Sequence, residues 1–319
     1  LGTESVPTGE VEFDGTVGYL VGESEHGFEY MTTMLNWERV TNATGAVGVM
    51  GRALLESKIH AANREAFGRS IDEFPLMRRD LVDMQVSFEA ALVVSFEAAR
   101  WLARYERDHE DGESAPLVRA LVPVAKYRTG RMAVETTSDA MEILGGDGYV
   151  ADFVTERLVR DAQVLPIWEG TSNVLSLDLL QALNRTAADE AVLSLVDDAL
   201  AGVDHPVLAA VCETVEGYRD TLADGFATVS AADDINAEHD AKRLADLVFD
   251  VVAASRLLEG AARRLDLEAD ARLAAVAKWF VREALAGGGR EVGRNGSPSD
   301  ATVDAVLRYA DLSPNELTE

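Results

Sequence analysis

A carboxylate, an indole and a glycine stand together in Pro166-Ile167-Trp168-Glu169-Gly170-Thr171-Ser172-Asn173, just ahead of an apolar stretch with helical spacing. Burial against Trp168 would raise the affinity of Glu169 for a proton, which suits a carboxylate that works as a base. Thr171 and Ser172 are residue types that begin helices, and a helix start offers backbone N–H groups to an anion. On spacing alone, the string also reads as an ordinary loop glutamate before a capped helix. A second string, Asn63-Arg64-Glu65-Ala66-Phe67-Gly68-Arg69, sets a fork-shaped cation and an aromatic around a turn. Arginine can grip a phosphate with two donors, and phenylalanine can cover a flat ring. The third, Glu142-Ile143-Leu144-Gly145-Gly146-Asp147-Gly148-Tyr149, follows a helical pattern instead of opening one. It is therefore no dinucleotide-binding glycine motif, and by itself it reads as a glycine-rich helix stop.

Other residue classes offer less. The histidines at 26, 60, 109, 205 and 239 show no ligand spacing, and the single cysteine, Cys212, can build neither an internal disulfide nor a thiolate cluster. No metal site is expected. Trp37, Trp101, Trp168 and Trp279 read first as core or interface aromatics, and only Trp168 has a positional reason to be more.

The elements that must position these groups are helical. Residues 1–22 alternate Val11, Phe13, Val17 and Tyr19 with glycine turns and predict short strands that begin inside a larger domain. From about residue 25 the period becomes 3.6: Val40, Val47, Met50 and Leu54 line one face of a helix that runs toward Asn63. Leu81, Met84, Phe88, Leu92 and Phe96 mark a second helix over 75–110, and a third over 115–144 stops at Gly145-Gly146. Beyond Pro166 a fourth runs over 171–183, which predicts a bundle. After a polar break at 184–189, helices are expected near 190–202, 206–229, 237–266, 268–286 and 299–311, with Gly287-Gly288-Gly289 as a joint.

Composition excludes several classes of function. The formal net charge is −27, and lysine occurs only at 58, 126, 242 and 278. Such a field repels nucleic-acid backbones and anionic lipid. A hydrophobic content of 47% argues against an acidic disordered chain and predicts a folded protein whose surface suits high salt. No apolar run approaches the roughly 20 residues of a membrane-spanning helix, and the expectation is a soluble, cytoplasmic protein.

Taken in order, Arg64-x-x-Phe67-Gly68, Leu144-Gly145-Gly146-x-Gly148-Tyr149, Arg160-Asp161-Ala162 and Trp168-Glu169-Gly170-Thr171-Ser172-Asn173 resemble the C-terminal half of the acyl-CoA dehydrogenase flavoproteins. Pro75-Leu76-Met77-Arg78, Trp168 and the helical tail are most similar to the branch containing the bacterial alkylation-response flavoprotein. The resemblance implies a mainly α fold: the end of a flavin-binding β-domain over 1–22, a four-helix bundle over 23–185 and an appended helical extension over 186–319. It also implies FAD-dependent α,β-dehydrogenation of an acyl-CoA thioester, with Glu169 as the base and Arg39 near the substrate. Arg64, Phe67, Glu142, Gly145 and Gly146 would contact FAD across a subunit interface, and Thr171 and Asn173 would contact the same cofactor.

The sequence departs from the family pattern in three places. Glu142 stands where many members have glutamine. Glu38 occupies the position from which some members supply their base, and for either carboxylate the alternative is an ion pair with Arg39. The family's N-terminal helical domain and most of its β-domain have no counterpart. The chain is thus expected to work as part of a homo- or hetero-oligomer with an N-terminal dehydrogenase half, and an electron-accepting flavoprotein is a further partner to expect. The competing expectation is a non-catalytic helical interaction or regulatory subunit. DNA association through the tail is set aside on charge, since Arg263, Arg264, Arg290 and Arg294 are outnumbered by acids.

Overall fold

In the computed structural model, which describes residues 1–108, 111–287 and 298–317, three long helices carry the candidate groups. These are α1 (Gly27–Asn63), α2 (Pro75–Arg107) and α3 (Ser114–Leu144). A two-residue-per-strand hairpin, β1 (Glu65–Ala66) and β2 (Arg69–Ser70), links α1 to α2. Its turn residues Phe67 and Gly68 have φ of 53° and 88°, the pair of positive values that a tight hairpin turn demands. The string at 63–69 predicts a turn, and the structure makes it the turn of a hairpin. Short helices α4 (Gly146–Tyr149) and α5 (Val154–Ala162) lead to α6 (Ser172–Arg185).

Helix α3 is the axis of the molecule. It packs on α1, α2, α5 and α6, and more than half of its residues are buried, Leu117, Leu121, Val124, Ala125 and Ala133 among them. It stops where Gly145 takes φ 62°, a conformation that costs glycine little.

The tail continues as α7 (Ala188–Leu200), α8 (Ala209–Ala231), α9 (Asp234–Glu268), α10 (Arg272–Phe280) and α11 (Asp300–Arg308). At 14 residues α6 is far shorter than its three bundle neighbours, and the 35-residue α9 lies against α2, α3 and α6. One apolar core runs unbroken from Val40 on α1 to Leu312 beyond α11. Buried charge joins the same parts. Arg272 of α10 pairs with Glu89 of α2, and Gln85 donates to both Glu89 and the Tyr309 hydroxyl. Lys58 donates to the carbonyl oxygen of Leu307 at 2.6 Å.

The strands expected over 1–22 do not form. The segment is turn and irregular backbone, with Phe13, Val17 and Tyr19 more than 80% exposed. Alternating side chains specify a strand only when a sheet edge is present to pair with. Of the glycine joint, Gly287 is described; Gly288 and Gly289 lie outside the described residues, as do Arg290, Arg294 and His109. No helix among the described residues is long and apolar enough to cross a membrane.

Candidate active site

Glu169 lies in the loop between α5 and α6, and the loop reaches it by running close over α3. Gly130 on α3 permits the approach: a Cβ there would stand 3.1 Å from the carbonyl oxygen of Leu165. Glu169 and Gly170 then take φ of 58° and 110°, unusual for a glutamate and open mainly to glycine at the second position.

Four charged residues gather around this turn. Helix α1 supplies Glu38 and Arg39, α3 supplies Lys126, and α6 supplies Asp178. Arg39 Nε donates to the carbonyl oxygen of Glu169 at 3.2 Å, while its Nη1 meets Asp178 Oδ2 at 2.7 Å. Lys126 Nζ donates to the carbonyl oxygen of Gly170 at 2.6 Å. The proton affinity of Glu169 is raised, first by burial, then by a hydrogen bond and like charge from Glu38; Lys126 and Arg39 oppose the rise. Lys126 is pushed down to about 8, by burial and by Arg39, against the pull of Glu169. One turn beyond Glu38, Asn42 is buried with both amide atoms unpartnered, an arrangement that calls for a water or ligand atom.

The two candidate bases of the sequence reading therefore occupy one site. Arg39 pairs with neither, because Asp178 takes its guanidinium. Only 9% exposed and held on two sides, Arg39 braces the loop instead of presenting a free cation to a substrate. The burial of Glu169 owes less to Trp168 than expected, since that indole is 46% exposed. Lys126 and Asn42 were missed. A lone lysine or asparagine within a helical pattern gives no sign of facing a loop more than 40 residues away in one case and of standing unpartnered in the other.

Arg64, Phe67, Glu142, Gly145 and Gly146 gather at the far end of the bundle, where α1 and α3 end and α2 begins. At a rise of about 1.5 Å per residue, α1 puts roughly 37 Å between Arg64 and the Glu169 loop, and α3, from Lys126 to its end, roughly 28 Å between that loop and Gly145. Phe67 is 98% exposed on its hairpin tip. Arg64, Gly145 and Gly146 are exposed too. Glu142 sits in a different field. It lines a groove of about 440 Å³ with Asp80, Asp83, Glu135 and Asp139. Burial and then the nearby Glu142 raise the proton affinity of Asp80. That field has the wrong sign for a phosphate, which weakens Glu142 as a cofactor contact.

Thr171 occupies the cap position of α6, exposed and without a side-chain cap bond, so the first N–H groups of the helix stay open. Asn173, also exposed, shares a groove with Ser176 and with His239, Lys242 and Arg243 of α9.

A profile of the acyl-CoA dehydrogenase C-terminal domain matches residues 25–184, half of the chain. The chain belongs to the acyl-CoA dehydrogenase family. Among curated relatives, acyl-CoA dehydrogenase family member 11 of Caenorhabditis elegans is 37% identical over 184 residues, covering 58% of this chain and 30% of that protein. The putative acyl-CoA dehydrogenase AidB of Escherichia coli is 34% identical over 195 residues, covering 61% of this chain and 35% of the relative. Among solved structures, the C. elegans ACDH-11 complex with C11-CoA superposes with a TM-score of 0.75 at 28% identity, over 83% of this chain and 45% of that one. An acyl-CoA dehydrogenase from Bacillus anthracis, complexed with FAD, has a TM-score of 0.71 over 90% of this chain and 56% of its own length; at 19% identity it speaks to the fold. The chain thus spans about a third of the length of these curated acyl-CoA dehydrogenase relatives.

Proposed function

We propose that the Glu38–Glu169 pair is the acid–base centre of an FAD-dependent α,β-dehydrogenation of an acyl-CoA thioester, with this chain as the C-terminal half of the enzyme. The observation that carries the reading is the convergence of Glu38 and Glu169 beside Arg39 and Lys126, two buried cations that hold the loop the family motif occupies. Glu169, in its ionised form, takes the α-proton of the thioester. Glu38 tunes the pH at which that form exists. When bound, FAD supplies the acceptor for the hydride that leaves the β-carbon.

The residues present fit such a cofactor at two places. The open N–H groups at the start of α6, with Thr171 and Asn173, suit an anionic group near Glu169. Arg64 and the bare ring of Phe67, with the exposed backbone at Gly145 and Gly146, suit a phosphate and a flat base. Since these places lie roughly 28 to 37 Å apart along α3 and α1, they serve two cofactors, so the far group reaches the FAD of a neighbouring subunit.

An apolar face beside the pair supports a missing half. Phe28, Met31, Met34 and Trp37 recur every three residues on α1, each 41–74% exposed, and Ile167, Trp168 and Val174 are exposed near the loop. Apolar surface of that extent marks a covered interface. We assign its cover to an N-terminal dehydrogenase segment, in the same or a separate polypeptide; reoxidation by an electron-accepting flavoprotein completes the cycle.

The test is native purification at high salt, with a flavin spectrum and mass analysis of every co-eluting chain. A yellow complex bleached by an acyl-CoA in the wild type, but not in Glu169→Gln, supports the reading. A colourless oligomer of this chain alone overturns it in favour of a non-catalytic interaction subunit.

A further inference from the structure

Lys126, with no exposed surface, is among the largest fully buried side chains of the protein. Burying an ammonium costs several kcal/mol unless its partners repay the loss of water. The partner here is a backbone atom of the catalytic loop, the carbonyl oxygen of Gly170, 2.6 Å from Nζ. The preceding carbonyl, that of Glu169, accepts from Arg39 Nε at 3.2 Å. Two consecutive carbonyls are thus held by two cations from two different helices, α3 and α1. They belong to the two residues with φ of 58° and 110°. Such backbone persists only where its surroundings fix it.

We infer that Lys126 is a positioning residue: its grip on the Gly170 carbonyl, opposite the grip of Arg39 on Glu169, locks the left-handed turn that aims the Glu169 carboxyl. The inference deepens the reading of Glu169 as the base and rests on it for its catalytic consequence. A neutral amide could satisfy the same carbonyl, so the charge of Lys126 has a separate effect. The charged groups facing it are Arg39 on α1 and Glu169 in the loop, with Glu38 beside Glu169 and Asp178 on α6 held through Arg39. Arg39 and Lys126 both favour the ionised form of Glu169, so with Lys126 neutral the ionisation of Glu169 becomes harder.

The experiment uses the full chain with ¹⁵N-labelled lysine and ¹³C-labelled glutamate, followed by NMR against pH. Four lysines give four Nζ signals, assigned with Lys58→Met and Lys126→Met; Glu169→Gln assigns the carboxyl. In the wild type, Lys126 loses its proton near pH 8. The Gly170 and Thr171 amides and the Glu169 carboxyl move in the same step. In Lys126→Met the midpoint of Glu169 shifts to higher pH and the two amides move. Lys126→Gln leaves the amides closer to wild type but shifts the midpoint as well. A Glu169 midpoint and Gly170 resonance unchanged in Lys126→Met would make Lys126 a filler of the core and overturn the inference. Should both variants fail to fold, a wild-type Glu169 curve with no inflection where Lys126 titrates overturns it equally. None of these readouts uses flavin or acyl-CoA, so failure of the dehydrogenase reading is a separate result.

Discussion

Glu38 on α1 and Glu169 in the loop ahead of α6, 131 positions apart in the chain, lie close enough for one carboxyl to raise the proton affinity of the other. The consequence for catalysis is directional. Glu38 raises the proton affinity of Glu169, so its removal lowers it. In Glu38→Gln the rising limb of kcat/KM against pH moves to lower pH and turnover persists. Glu169→Gln lowers kcat by about 10²–10⁴-fold, the usual contribution of a positioned base. A pH profile of each variant, in the complete enzyme, checks the pair; loss of turnover in Glu38→Gln alone would exchange the two roles.

Gly130 gives a prediction without touching a charged group. In Gly130→Ala the new methyl stands 3.1 Å from the Leu165 carbonyl oxygen and presses the loop off α3. Thermal stability changes little, because alanine favours the helix by about 1 kcal/mol. The rate falls by up to about 10²-fold if Glu169 moves by an ångström. Parallel Tm and kcat measurements separate the two effects.

Asp250 on α9 governs a pH dependence of stability. Burial pushes its carboxyl from 3.8 up to about 7, although Arg128 lies 3.5 Å away. Between these values the folded chain keeps a proton that the unfolded chain has lost, so stability falls as pH rises through the window. Asp250→Asn removes that slope. Its advantage over wild type grows from near zero at about pH 4 to at most about 4 kcal/mol above pH 7, read by denaturant unfolding at several pH values.

The Arg272–Glu89 pair tests how firmly the tail is joined to the bundle. Glu89→Ala leaves a buried guanidinium without its carboxylate and costs about 3–5 kcal/mol. The double variant Glu89→Leu with Arg272→Met recovers most of that loss, because two apolar side chains need no partner. Midpoints of urea unfolding for the three proteins give the comparison.

The helices were legible because their signal is local. Val40, Val47, Met50 and Leu54 lie on one face by spacing alone, and three of the four are under 5% exposed. The strings around Glu169, Arg64 and Gly145 were legible as motifs, each standing where chain direction must change. The pairing of Glu38 with Glu169 was not, since it depends on how α1 crosses the loop. Nor was the hold of Asp178 on Arg39, since only the start of the fourth helix carries the motif and Asp178 lies beyond it. Residues 1–22 misled for the opposite reason: their alternation is genuine, but a strand needs a neighbour.

The length of α1 between Glu38 and the Arg64 hairpin has a genetic meaning under the proposed assignment. Each subunit would give its base to one flavin and its arginine to another, so damage to the two ends falls on different sites of an assembly. A chain carrying Glu169→Gln and one carrying Arg64→Ala, each inactive by itself, would together rebuild one intact site in every mixed pair and leave the second doubly impaired. Co-expression of the two variants should restore activity that neither shows alone, and a mixture as inactive as its components would place both ends of the helix at the same flavin's service.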